Sequence, residues 1–228
     1  MAPPDLRIIS IGTLAAHPLW DERGAVRTGH TTTSLITAGD ARILVNPGLP
    51  APGLQARLQE RTPIGVDDIT HVFMTTFTID HVRGLALFER ARWLVYAPER
   101  PSADAGLASE AERAREAEAH DAGRLLEALR TWLGKCDDAD DRIAPGVDLF
   151  PLPGVTSGTC GLLLSLPMST VLICGDAIAT IEHLEQGKVL PHCLDVDQAQ
   201  ESFREAIEIA DVIVPGRDNL VPNPLRAR

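Results

Sequence analysis

Four short stretches share one design: an apolar run stops at a small residue and then presents a polar side chain. MTTFTIDHVRG, residues 74–84, offers Asp80 and His81 side by side, with Gly84 behind them. LPGVTSGT, residues 152–159, offers Thr156 and Thr159. ICGD closes on Asp176, and VPGRD carries Arg217 after its glycine. Carboxylate and imidazole together are the ligands of a divalent metal such as zinc, which activates water for attack on a carbonyl or phosphorus centre. Arginine adds a charge that cannot be removed, so it cannot itself ligate a cation. The end of a strand is where α/β proteins place such groups.

Other chemistries find less support. No Gly-x-Ser-x-Gly elbow, P-loop or dinucleotide fingerprint occurs. The four cysteines, Cys136, Cys160, Cys174 and Cys193, form no Cys-x-x-Cys pair. Cys160 and Cys174 fall at strand ends and read as small buried apolar residues. Cys174, two residues before Asp176, could lie near a pocket with His81 as base, but a neighbouring carboxylate would raise its thiol pKa.

The elements that must position these groups come in two successive sets. LRIISIGTL, TTTSLITAG and ARILVNPG are short, β-branched runs, with Gly39-Asp40 placed as a hairpin turn between two of them. PGLQARLQER has helical spacing, HVFMTT and RWLVYAP are buried-type strands, and 103–133 predicts one long helix or two with a break at Gly123. His71 begins a strand and His120 lies in a charged helix, and both read as structural or solvated. The second set holds GVDLFPLPG, CGLLLSLP and TVLICGD, then the helix DVDQAQESFREAIEIA with Asp195 as N-cap, then the strand DVIVPG. Mixed hairpins and helices in two sets predict an α/β sandwich of two similar halves.

The net charge of −11 argues against a nucleic-acid or anionic-membrane partner. No apolar run reaches the length of a membrane span, and no signal peptide is visible, which predicts a cytoplasmic protein with reduced cysteines.

The order of these strand ends resembles the metallo-β-lactamase superfamily. The resemblance implies one domain, 1–228, folded as a four-layer αββα sandwich of two mixed sheets flanked by helices, with halves of roughly 1–135 and 136–228. It also implies a two-metal site, usually zinc, held by His-x-His-x-Asp-His, Gly-His-Thr-x-Gly-His, Gly-Asp and Pro-Gly-His. ILVNPG resembles the family's Val-Asp-x-Gly strand end, with Asn46 in place of Asp. Asp80, His81, Gly84, Thr156, Gly158 and Asp176 match the pattern. Thr76 and Thr78 stand where two histidines belong, Val155 where the third ligand of the first metal belongs, Thr159 where a later histidine belongs, and Arg217 where the last histidine belongs.

By this resemblance the first metal position has lost all three of its own ligands, and the second keeps Asp80, His81 and Asp176. Valine cannot coordinate, and a threonine hydroxyl is a poor zinc ligand. Arg217 is expected either between the two carboxylates, restoring charge balance, or in solvent with the carboxylates hydrated. His192, Cys193 and His183 are the reserves that could rebuild a site, since the loop after Gly-Asp passes near the metals in the family; His17 and His30 are others.

The first functional expectation is therefore a binding, sensing or scaffolding pseudo-enzyme, or an enzyme using a metal-free pocket, with the pocket around Thr76, Thr78, Val155, Arg217, His192 and Cys193 and with no metal or one weakly held zinc. The alternative is a hydrolase of an ester, lactone or thioester with a single metal on Asp80, His81 and Asp176. There Asp80 would orient the water, and Thr76, Thr78 or Arg217 would stabilise an oxyanion.

Overall fold

A computed structural model describes residues 2–226; the sequence-derived span of 1–228 also takes in Met1, Ala227 and Arg228, which lie outside the described residues. The first sheet runs β1 (Asp5–Ser10), β2 (Thr33–Ala38), β3 (Ala41–Val45), β4 (His71–Met74), β5 (Arg92–Val95) and β6 (Asp137–Asp138), in that spatial order. The two hairpin connections pair antiparallel, and from β3 onward the strands are parallel. Parallel neighbours need crossovers. Helix α1 (Ala51–Arg61) serves β3 to β4, the single turn α2 (Ile79–Val82) lies between β4 and β5, and α3 (Glu99–Glu116) with α4 (His120–Gly134) spans β5 to β6.

The second sheet contains β7 (Arg142–Ala144), β8 (Val147–Pro151), β9 (Cys160–Ser165), β10 (Thr170–Gly175), β11 (Val212–Pro215) and β12 (Val221–Pro222), ordered β12-β11-β10-β9-β8-β7. Only β10 and β11 pair in parallel, and α5 (Ile181–Gln186) and α6 (Val196–Ile209) make that crossover.

Alternation along the strands builds three apolar layers. On β3 and β4, Leu44, Val72 and Met74 face the helices α1, α3 and α4, meeting Leu54, Leu58, Leu107 and Leu129. Their neighbours Ile43, Val45 and Phe73 face the other way and meet Leu162, Leu164, Val171 and Ile173 of the second sheet. On β10, Leu172 and Cys174 turn outward again, against Phe203 and Ala206 of α6. A strand has two faces and successive side chains alternate between them, so each central strand serves two layers. The result is a four-layer αββα sandwich.

Two expectations are corrected. The long helical stretch breaks at 117–119, where Glu118 takes a left-handed conformation (φ 53°), and Gly123 lies inside α4. The turn is set by the need to fold Leu126, Leu129 and Leu133 back onto the same core as Ala103 and Leu107; a glycine on an exposed helix costs only about 1 kcal/mol and need not break it. Cys174 lies in the outer core with its side chain fully buried, so it reaches no pocket. Burial pushes its thiol well above the ordinary range, as it does for Cys160. Among the described residues no helix is long and apolar enough to cross a membrane.

Candidate functional site

The C-terminal ends of β4, β10 and β11 bring three charged residues together. Asp80 and His81 come from α2, which starts five residues beyond β4. Asp176 follows Gly175 at the end of β10, and Arg217 follows Gly216 at the end of β11. Both glycines are dictated by space. Gly175 has φ +54°, and a Cβ there would meet the Thr75 side chain at 2.3 Å. A Cβ on Gly216 would lie 2.5 Å from the Gly175 carbonyl carbon and 2.6 Å from an Asp176 carboxylate oxygen. The β11 turn therefore lies directly on the β10 turn. Backbone bonds hold it there: Gly216 donates to Ile178 (3.0 Å) and Arg217 to Ala179 (2.7 Å).

Arg217 faces inward and is 8% exposed. Its Nε and Nη2 donate to Asp176 Oδ1 and Oδ2, both at 2.8 Å, and its Nη1 donates to Asp80 Oδ2 at 2.8 Å. Two-point pairing of this kind is the strong form of the guanidinium–carboxylate contact. Burial, the largest single influence, would raise the Asp176 pKa, but the Arg217 charge and its hydrogen bonds, with the His81 and His192 rings, together outweigh it and hold the carboxyl far below the usual range. Burial likewise disfavours the guanidinium charge, and Asp176 and Asp80 overcome it, so Arg217 is held protonated more firmly still. The other Asp80 oxygen accepts from Arg83 Nη2 at 2.9 Å, and Arg83 also donates to the Gly29 carbonyl at 3.0 Å.

His81 is fully buried beside this triad. Its Nδ1 meets Thr78 Oγ1 at 2.8 Å, while Nε2 has no hydrogen-bond partner and lies 3.8 Å from Asp176 Oδ2. Burial lowers its pKa to about 4, with Asp176 pulling upward and Arg217 downward, so the ring is neutral at pH 7. A cleft of about 390 Å³ opens over Asp80 and Arg217, walled by Leu14, Pro18, Glu22, Arg23, Leu190 and His192, among others.

A sequence profile of the metallo-β-lactamase superfamily matches residues 26–217. The chain belongs to the metallo-β-lactamase superfamily. A protein named as a probable metallo-hydrolase in Mycobacterium tuberculosis is 30% identical over 141 residues, covering 60% of this chain and 46% of that protein. Its namesake in Mycobacterium bovis matches to the same extent, so the chain spans about half the length of these curated relatives. Among solved structures, a Thermotoga maritima protein assigned as a metallo-β-lactamase superposes with a TM-score of 0.71 at 19% identity, over 96% of this chain and 99% of that one. The dizinc quorum-quenching lactonase AidC, in complex with a product, gives 0.62 at 18% identity over 78% and 67%. At these identities the two structures speak to the fold.

Thr76, Thr159, Thr156 and Glu99 form a largely buried hydrogen-bonded network beside β4. Thr76 is buried and donates to Thr159 Oγ1 at 3.4 Å; Thr159 Oγ1 also meets Thr156 Oγ1 at 2.8 Å and accepts from the Thr156 N–H at 2.9 Å. Thr156 in turn donates to Glu99, whose other oxygen accepts from the Phe77 N–H at 2.7 Å. Glu99 is 1% exposed, and burial raises its pKa against the pull of its donors at Phe77, Thr156 and Gly158. Nothing in the sequence singled out Glu99. Arg83 had a signal that was passed over: it is three residues beyond Asp80, the helical spacing for a charge pair.

The remaining candidates separate. His192 lines the cleft with Asp80 and Arg217. Thr78 turns to His81 and to a neighbouring apolar cavity of about 340 Å³ against α3 and α4. Val155 contributes its carbonyl to the Leu194 N–H, and Cys193 donates to the Leu190 carbonyl in a small apolar cluster. His30 lies against the carbonyls of Thr28 and Ile11. His17 stacks on Trp20 with ring centroids 4.1 Å apart and meets Thr180 at 3.2 Å, and Thr180 also meets His183 at 2.9 Å. Among the described residues, no three His, Cys, Asp or Glu side chains are grouped as a metal would need.

Proposed function

We propose that this chain keeps the metallo-hydrolase scaffold but replaces the dinuclear centre with protein groups, and that it acts as a small-molecule binding or sensing protein through the cleft over Asp80 and Arg217. One observation carries the reading: the Arg217 guanidinium donates to both carboxylates that a second-site metal would use. A zinc ion would compete for the same oxygens against a cation that never deprotonates. Removing the guanidinium from that pair would leave a charge uncompensated. The donor set thus does not fit a zinc pair. At the other position, the Thr76–Thr159–Thr156–Glu99 network offers one carboxylate, already bonded to donors on both oxygens.

A second reading has its own observation. The unpartnered Nε2 of buried His81, 3.8 Å from Asp176, is the kind of group a single metal would satisfy, and a hydrolase of an ester, lactone or thioester would follow. One experiment separates the two. Metal content of the purified protein is measured, and zinc is titrated calorimetrically into the parent and into Arg217→His. The first reading expects a metal-poor parent, with zinc affinity gained in the variant. A parent that binds zinc as tightly as the variant supports the second.

A further inference from the structure

The cleft over the triad carries charges that do not cancel. Glu22 is paired with Arg27, Asp80 with Arg83 and Arg217, and Asp176 with Arg217. Every carboxylate facing or flooring the cleft is therefore already matched by a guanidinium. Arg23 is exposed on the cleft wall, and among the described residues it makes no ion pair and donates no side-chain hydrogen bond. Arg217 directs three N–H groups at the carboxylates, and a guanidinium has five. One N–H on each of its terminal nitrogens is left, and the residue lines the cleft. His192 adds another ring nitrogen to the same wall. The rest of the lining is aliphatic, including Leu14, Ala16, Pro18, Leu190 and Pro191.

We propose that this cleft binds a small organic monocarboxylate with a compact apolar body. Arg23 pairs with the carboxylate, the spare N–H groups of Arg217 and the ring of His192 complete its hydrogen bonding, and the aliphatic wall covers the body. Few convergent polar groups in an otherwise apolar concavity is the usual make-up of a small-molecule site. The charge count selects the ligand class. A cation finds no free carboxylate here. A neutral ligand leaves Arg23 unpaired. A phosphate dianion brings a second negative charge towards Asp80 and Glu22, which already face the cleft. A single negative charge matches the single unpaired guanidinium. The proposal rests on the metal-free reading above, since it needs Arg217 in the place a metal would take.

The test uses the whole chain and three probes: hexanoate, its uncharged isostere hexanamide, and inorganic phosphate. Binding is followed by calorimetry and by saturation transfer to the ligand protons. Hexanoate is expected to bind saturably. Hexanamide and phosphate should each bind at least about tenfold more weakly, a difference of about 1.4 kcal/mol. Arg23→Ala should weaken hexanoate by a similar factor and Arg23→Glu by more, with circular dichroism unchanged because Arg23 is exposed. Equal binding of the amide, tighter binding of phosphate, indifference to Arg23, or no saturation by hexanoate each overturns the proposal. Zinc titrated into the same parent sample keeps the two failures apart. If hexanoate fails and zinc is also silent, the ligand class is wrong and the metal-free reading stands. If zinc binds the parent tightly, that reading has fallen.

Discussion

Arg217 and Asp176 meet as a fork on a fork, with Nε–Oδ1 and Nη2–Oδ2 both at 2.8 Å and both side chains almost out of solvent. Asp80 takes the third bond of the same guanidinium from the other sheet's side of the sandwich. Arg217→Ala leaves Asp176 buried with no countercharge. Breaking a buried pair by removing one partner costs roughly 3–5 kcal/mol, and in a chain of this size that is a fall of roughly 6–20 °C in Tm. Differential scanning calorimetry at pH 7 checks it. A shift under about 2 °C would mean that water replaces the guanidinium at little cost.

Acid should weaken the fold through its buried histidines, partly offset by Glu99, whose burial makes its carboxyl easier to protonate in the folded chain than in the unfolded one. His183 has its pKa lowered, chiefly by burial, from the ordinary 6.5 to about 4. Between these values the unfolded chain binds a proton that the folded chain refuses. The unfolded state is then favoured by falling pH, so stability present above about 6.5 is lost progressively down to about 4. His81, lowered to about 4 mainly by burial, acts in the same direction. Asp176, held low by Arg217, has the ordinary carboxylate sign and adds its loss only at more acid pH, as it takes up its proton. Urea melts from pH 7.5 to 4.5 should show a falling midpoint in the parent and a flatter dependence in His183→Gln.

Gly216→Ala tests the stacked turns. Its Cβ would have to enter space held by the backbone of Gly175 and by the Asp176 carboxylate. Neither is the loose end of a flexible chain, so the turn itself must move and the fork must lengthen. A loss of about 2–4 kcal/mol is expected. Equilibrium denaturation gives the number, and a variant as stable as the parent would show that the β11 turn is free to shift.

Glu99 can be probed by two substitutions that differ in hydrogen bonding. Glu99→Ala strands the Phe77 N–H and the Thr156 hydroxyl in a buried place, at about 1–3 kcal/mol for each group left without a partner. Glu99→Gln keeps an acceptor for Phe77, and its amide can donate to the Thr156 oxygen, so it should cost less than half as much. Equal losses in the two variants, by chemical denaturation, would assign the effect to volume and not to hydrogen bonding.

Much of the architecture was readable in the sequence because strand ends announce themselves. Runs such as TVLICGD and DVIVPG are continuously apolar, stop at glycine, and put Asp176 and Arg217 beyond the last paired residue. The resemblance supplied the partners; the strand pattern alone could not say that two turns 41 residues apart lie on one another. The strands β6, β7 and β12, two or three residues each, are too short to carry a period. Glu99 escaped because its role depends on a loop 57 residues away, and nothing local marks it. The His17–Trp20 stack and its tie through Thr180 to His183 escaped for the same reason.

The ion triad also has a place in time. Asp80 and Arg217 are 137 residues apart, and each is held at the end of a strand in a different sheet. Closing so long a loop is costly until other contacts have already brought its ends together. Their bond is therefore expected to form late in folding, with the apolar layer between the sheets already in place. Interactions absent from the transition state leave the folding rate nearly unchanged and act on the escape rate. Arg217 would then work as a bolt on a closed door: Arg217→Ala is expected to fold about as fast as the parent and to unfold sooner, which stopped-flow rates in denaturant check.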